Sequence, residues 1–345
     1  MAVVMTGNGP RALPEGGLAP RRASAEEIPV LDLAPMFGSD AAAKAALAAR
    51  LRAACTDSGF FYLRGHGVPE AVVAAAFDAA RYYFALPEAA KLAHHAGLSP
   101  HNRGYAGLLE ENTDPAARGD LHESFDMALE VPADDPDVLA GKRLYGPNQW
   151  PDGLSGFRET VEAYHAAMRG LSRCLLAAFA LALGLDEDYF DPRIGKPLAT
   201  VRLLRYPPQT GEIDPRQIGI GAHTDYECFT ILAQEDVPAL QVLSAAGEWL
   251  AADPIPGCFL VNIGDQMARW TNDLFASTVH RAVNRSGRER YSIPFFFGPD
   301  YDTEIVALPG CTGPDNPAKY PPVGAGAYVE SRFSATFDYF DGAVG

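Results

Sequence analysis

Apolar residues recur at two different periods along these 345 residues, and the change of period divides the chain. Between Ser155 and Leu183, the residues Phe157, Val161, Tyr164, Met168, Leu171, Leu175 and Phe179 return every three or four positions. That spacing predicts one long helix with a single apolar packing stripe, ended by Gly184. Residues 40–57 are rich in Ala and Leu and stop at Gly59, which predicts an earlier helix. Pro69 suits the first turn of another, running to about Phe84 and halting before Pro87. From Thr200 the period shortens. Val201–Tyr206 alternates loosely and stops at Pro207-Pro208, and further strands are expected at 228–233, 240–244, 258–263, 279–284 and 290–297. Short strands at 28–33 and 60–64 precede them, and residues 88–153, rich in Gly, Pro and Asp, read as loops with short strands. Residues 1–27 carry no periodic pattern and are expected to form a disordered or loosely attached tail.

Helices come first and strands follow, with no βαβ alternation and no internal repeat. This order predicts an α+β chain, mainly β, with a double-sheet jelly roll and the N-terminal and central helices packed on one side. Residues 28–345 are expected to form a single domain, with 28–150 as its N-terminal region and 200–300 as its β core.

Composition narrows the possible partners. The apolar share of 48% is ample for a buried core, and the net charge of −16 argues against nucleic acid and anionic membrane surfaces. No apolar run approaches a membrane span, and residues 1–27 lack the apolar stretch of a signal peptide. Five cysteines, an odd number without a Cys-x-x-Cys, fit reduced thiols in a cytoplasm. No obligate protein partner is evident, and a small-molecule substrate is favoured.

Candidate chemistry is concentrated in His223-Thr224-Asp225, His280 and Arg290-Tyr291-Ser292. Residues i and i+2 at the end of a strand point the same way, so His223 and Asp225 can share a face, joined by His280 from a distant strand. Two imidazoles and one carboxylate hold one face of iron(II) and leave three positions open. A lone His-x-Asp is more often a surface pair, and only the combined order and spacing lifts it above that. Cys228 lies three residues after Asp225, but its position is that of any buried cysteine.

The intervening segments carry a wider likeness: Phe259-Leu260-Val261-Asn262-Ile263-Gly264-Asp265, Trp270-Thr271-Asn272 and Ser277–Val283. Toward the N-terminus stand Ile28-Pro29-Val30-Leu31-Asp32-Leu33, Gly59–Leu63, Gly65-His66-Gly67-Val68-Pro69, Phe84–Pro87 with Lys91, and Arg103-Gly104-Tyr105. Arg332–Phe337 follows the core. Together these resemble the isopenicillin N synthase-like branch of the iron(II)/2-oxoglutarate-dependent oxygenases, over nearly the whole chain from Ile28 to Phe340.

The resemblance implies the same jelly roll, with iron(II), 2-oxoglutarate as co-substrate, and dioxygen. It implies His223, Asp225 and His280 as metal ligands, and Arg290 and Ser292 as anchors of the distal carboxylate. Tyr206 matches a tyrosine that reaches the co-substrate or substrate. Arg332–Phe337 looks like the closing helix region. Hydroxylation of a small organic molecule is the default outcome, with desaturation or cyclisation as variants. Leu204-Arg205-Tyr206-Pro207 stands nearer the microbial members, among them isopenicillin N synthase and the bacterial ethylene-forming enzyme. The former keeps an Arg-x-Ser and uses no 2-oxo acid, so an oxidase that needs no 2-oxo acid and an ethylene- and succinate-forming enzyme stay open beside the main reading. A non-catalytic binding protein fits an intact triad poorly. Arg202 and Arg205 are candidates for an anionic substrate, and Arg103, Tyr105, Phe125 and Met127 fall where family members line the pocket mouth.

Overall fold

The computed structural model describes residues 2–14, 17–113, 118–337 and 340. Two β-sheets form a jelly roll. The larger has eight strands in the order Val30–Asp32, Phe60–Arg64, Phe259–Ile263, Phe229–Gln234, Arg290–Asp300, Pro197–Tyr206, Glu123–Ala128 and Gly104–Ala106. The smaller has five, in the order Arg21–Arg22, Trp249–Ala251, Leu240–Leu243, His280–Ala282 and Ile220–His223.

Successive side chains of a strand point to opposite faces, and the larger sheet uses this throughout. Phe61, Leu63, Phe229, Ile231, Val261, Ile293, Phe295, Val201 and Leu203 point outward into the main core. The long helix Phe157–Ala182 lies there, flanked by Ala41–Asp57 and Glu70–Phe84. Phe60, Tyr62, Leu232 and Leu260 point inward and meet Leu240 and Val242 of the smaller sheet and Ala252 just past its edge strand. Ala41–Asp57 starts where its pattern predicts, because the Asp40 carboxylate accepts the N–H groups of Ala42 and Ala43. No helix among the described residues is long and apolar enough to cross a membrane.

Residues 2–14 and 17–27 depart from expectation. Ala2–Thr6 and Gly9–Leu13 form an antiparallel hairpin, and Arg21–Arg22 adds a parallel strand beside Trp249–Ala251. Val4 is buried with Ala222, Trp249 and Val279. At the turn, Asn8 Nδ2 donates to the Asp265 carbonyl (3.0 Å), while Arg269 donates to Asn8 Oδ1 (2.7 Å) and to the Gly7 carbonyl (3.0 Å). A Cβ at Gly7 would collide with the Tyr328 hydroxyl and the Asp265 carboxylate, so only glycine permits this approach. The segment is ordered by distant partners rather than by its own periodicity, which is why its pattern reads as a tail.

Deleting residues 2–13 is expected to cost roughly 2–4 kcal/mol of stability, from the partly buried hydrogen bonds and the Val4 contacts. Scanning calorimetry should record a lower melting temperature, and an unchanged one would show that the hairpin adds nothing.

Candidate functional site

The smaller sheet brings the two histidines together. Ile220–His223 ends where His280–Ala282 begins, and the antiparallel register sets His223 opposite His280 with ring centroids 4.3 Å apart. Asp225 lies two residues on, its Oδ1 3.6 Å from Nε2 of each histidine. The three donor atoms all lie within 4.8 Å of one another. This donor set suits iron(II) with open positions.

Outer contacts fix each donor. His223 Nδ1 lies 2.9 Å from the Gly221 carbonyl and His280 Nδ1 3.1 Å from the Thr278 carbonyl. A carbonyl only accepts, so the proton sits on Nδ1 and both Nε2 lone pairs face inward. Asp225 Oδ2 accepts from Thr230 Oγ1 (2.5 Å) and Asn262 Nδ2 (2.7 Å), leaving Oδ1 toward the histidines. Burial works to raise the Asp225 carboxyl, but the facing imidazoles hold it well below the usual carboxylate range. Thr224, between His223 and Asp225, donates to Asp265 Oδ2, which also accepts from Tyr328. The N-terminal hairpin grips this same Asp265.

Deeper in the same cavity lies Arg290, 1% exposed. It is the cross-strand partner of Tyr206, and its guanidinium lies 4.6 Å from that ring's centroid. Nη1 donates to Ser292 Oγ and Nη2 to Gln234 Oε1, each at 3.3 Å, while Nε is buried without a partner. No carboxylate pairs with this guanidinium among the described residues. A buried cation held only by neutral groups fits the distal carboxylate of a 2-oxo dicarboxylic acid. Leu204, Leu232 and Pro294 line the walls nearby.

On the other side of Asp225 the cavity continues past Glu111, Asp126, Arg202, Glu227 and the rings of Tyr226, Phe296, Phe333 and Phe337. Arg202 lies between two carboxylates. Its Nε and Nη2 each donate to Asp126 at 2.8 Å, and its Nη1 reaches Glu111 Oε1 at 3.0 Å and Oε2 at 2.9 Å. Glu111 also meets His122 at 3.0 Å. Burial pushes the Glu111 carboxyl up, but Arg202 and His122 outweigh it and hold the group at about 2.

The other candidates divide by the pleat. Arg202 lines the cavity, but its guanidinium is engaged by Asp126 and Glu111. Arg205 points the other way, to Glu123 and Glu289. Phe125 and Met127 belong to the helix-side core, and the cavity residue is Asp126 between them. Tyr105 donates to Glu123 and packs on Tyr83. Arg103 does line the cavity, donating to the carbonyls of His101, Asn102 and Leu144, and burial lowers its guanidinium to about 10. Cys228 faces the helix-side core. Glu111, Asp126, Glu227 and Phe296 were not foreseen. Asp126 and Phe296 could have been found from the period-two rule once one inward residue was known on each strand.

Comparison with known proteins bears on the same residues. Residues 28–153 match the family described as non-haem dioxygenase in morphine synthesis N-terminal, and residues 198–299 match the 2OG-Fe(II) oxygenase superfamily. The 2-oxoglutarate-Fe(II) type oxidoreductase hxnY of Emericella nidulans is 41% identical over 313 residues, covering 88% of this chain and 90% of the relative. A homoarginine-6-hydroxylase of Glycine max is 36% identical, covering 81% and 88%. A full-length Neurospora crassa protein, crystallised in complex with alpha-KG and thymine, superposes with a TM-score of 0.80 at 32% identity, covering 89% and 96%.

Replacing Arg202 with Met should leave Asp126 and Glu111 buried and facing each other, a loss of about 3–5 kcal/mol. Without the guanidinium both carboxyls titrate upward, so protonation relieves the repulsion as pH falls. Melting curves should therefore show a larger deficit against wild type at pH 8 than at pH 5, and an equal deficit would contradict the charge argument.

Proposed function

The chain belongs to the 2OG-Fe(II) oxygenase superfamily, and on that premise we propose that it oxidises a C–H bond of a small organic molecule bound beside Asp225. His223, Asp225 and His280 hold the iron, and Arg290 with Ser292 and Tyr206 holds the distal carboxylate of 2-oxoglutarate. The observation that carries this reading is one cavity containing both the three converging donors and a buried guanidinium with no carboxylate partner.

Iron(II), when bound, lets dioxygen react with 2-oxoglutarate and substrate together, so that decarboxylation to succinate accompanies oxidation of the substrate. The protein's own groups position and exclude. Thr230 and Asn262 restrict Asp225 to one free oxygen. The Nδ1 contacts to Gly221 and Thr278 turn both Nε2 atoms inward as ligands. Arg290 sets the depth at which a dicarboxylate sits, and its planar fork gives a directionality that Lys lacks. Leu204, Leu232 and Pro294 keep that end apolar and strengthen the charge contact. Tyr226, Phe296, Phe333 and Phe337 frame the space left for a substrate. A small molecule is supported by the relatives: the soybean protein is named for hydroxylating homoarginine, and the Neurospora structure holds thymine.

Succinate formation is expected to require iron(II), dioxygen and 2-oxoglutarate, and to rise with a small substrate that gains oxygen or loses hydrogen by mass spectrometry. Substrate oxidation at full rate without any 2-oxo acid would overturn the assignment.

Two variants test the residues. His280→Ala should lose bound iron and turnover while keeping its fold by circular dichroism. Arg290→Ala should raise the KM for 2-oxoglutarate roughly 100-fold, the few kcal/mol of a desolvated charge contact, and Ser292→Ala should raise it less. An unchanged KM in Arg290→Ala would move the anchor elsewhere.

A further inference from the structure

Charge on the substrate side of the cavity is spent within the protein. Arg202 lies between Asp126 and Glu111, Arg103 donates to three backbone carbonyls, and the Glu227 carboxyl accepts its own backbone N–H. Arg202 also lies over the rings of Phe296 and Phe337, Arg332 lies over that of Tyr226, and the Tyr226 hydroxyl meets Thr336. Asn102 differs from all of these. It lines the same cavity as His223 and Asp225 and is only 3% exposed. Its Oδ1 is buried without a hydrogen-bond partner, and its Nδ2 donates to no side chain or carbonyl among the described residues.

The backbone holds this amide at the wall. Asn102 stands just before the strand Gly104–Ala106, whose Gly104 is the cross-strand partner of Asp126. Its N–H donates to the Ser99 carbonyl at 3.4 Å, and its carbonyl accepts from Arg103 Nη1 at 3.3 Å. Its φ is 54°, in the left-handed region that Asn tolerates and Gly adopts freely. The backbone alone would be served by Gly, without burying a carboxamide. A buried amide that bonds nothing is rare and costs stability. The next residue adds to the pattern, because Arg103 Nε is also buried without a partner. The terminal torsion of Asn is soft, so a turn of the amide presents both of its polar atoms to a ligand. With the charges paired and the amide unpaired, the wall suits a neutral group that carries a donor and an acceptor together.

Resting on the oxygenase reading above, we propose that Asn102 determines substrate specificity by hydrogen-bonding a neutral carboxamide, lactam or imide group of the substrate. The substrate N–H donates to Oδ1, and the substrate carbonyl accepts from Nδ2. This pair fixes one end of the molecule at the Asn102 wall while the rest extends toward Asp225. A lactone of the same shape has no N–H, leaves Oδ1 unpaired and is rejected for that reason.

The test is isothermal titration of the full-length protein, held anaerobically with iron(II) and 2-oxoglutarate, using 2-pyridone as probe and 2-pyranone as its isostere with ring oxygen in place of N–H. Wild type should bind 2-pyridone saturably and 2-pyranone at least about tenfold more weakly, a difference of about 1.4 kcal/mol. Asn102→Gly keeps the left-handed backbone and removes the amide. It should keep the wild-type affinity for 2-oxoglutarate, lose about tenfold in 2-pyridone affinity and bind the two probes alike. Asn102→Asp keeps the shape without the N–H donors and should also bind 2-pyridone more weakly. Equal binding of the two probes by wild type, absence of saturable 2-pyridone binding, or undiminished preference in Asn102→Gly overturns the proposal. A purely structural asparagine would lower the melting temperature of Asn102→Gly and leave the preference intact. Failure of 2-oxoglutarate to bind in the preceding titration overturns the oxygenase reading as well, whereas its binding without discrimination between the probes overturns this one alone.

Discussion

The two-residue alternation of the eight-stranded sheet is the constraint on which the rest depends. On Arg290–Asp300, Ile293, Phe295 and Phe297 face the helices while Arg290, Ser292 and Phe296 face the cavity. On Pro197–Tyr206, Val201 and Leu203 face the helices while Arg202, Leu204 and Tyr206 face inward. Phe229–Gln234 and Phe259–Ile263 contribute Thr230 and Asn262 to the inner side in the same way. A slip of one residue on any of these strands would drive a guanidinium or an amide into the apolar helix layer. Apolar packing on one face therefore specifies the polar site on the other.

Within the cavity, charge is handled by different means at different depths. The three converging donors are held by contacts to carbonyls, a hydroxyl and an amide, which orient without adding charge. Arg290 is held by neutral groups and a ring, so its charge stays available to a dicarboxylate. Arg202 lies against two carboxylates and its charge is absorbed. Buried pairs of this last kind add little net stability, because desolvation offsets their attraction, yet removing one partner is costly. The Asp126–Arg202–Glu111–His122 chain thus serves as a rigid partition that shapes the substrate side.

Much of this was legible in the sequence, and the boundary of legibility has physical causes. The helix Phe157–Ala182 announced itself because seven apolar residues share one stripe. The two histidines, Asp225 and Arg290 were visible because their residue types and order carry chemistry. Phe125 and Met127 were expected at the pocket and Asp126 was not; the stretch was right and the face was wrong, since alternation alone leaves the choice of face open. Arg205 failed for the same reason. Arg202 was placed on the correct face, but its carboxylate partners come from a strand and a loop whose positions no local pattern reveals. The N-terminal hairpin was missed because what orders it lies far along the chain.

That distance has a consequence for the order of events on the ribosome. The hairpin turn at Gly7 and Asn8 emerges early, but the Asp265 carbonyl it must find is 257 residues further along. At ordinary translation rates the interval is roughly 13–50 s. Tyr328, which shares Asp265 with the hairpin, arrives later still. Docking of the chain's beginning is thereby postponed until its end is nearly made. The hairpin acts as a latch that closes over the histidine-bearing sheet only once that sheet is complete.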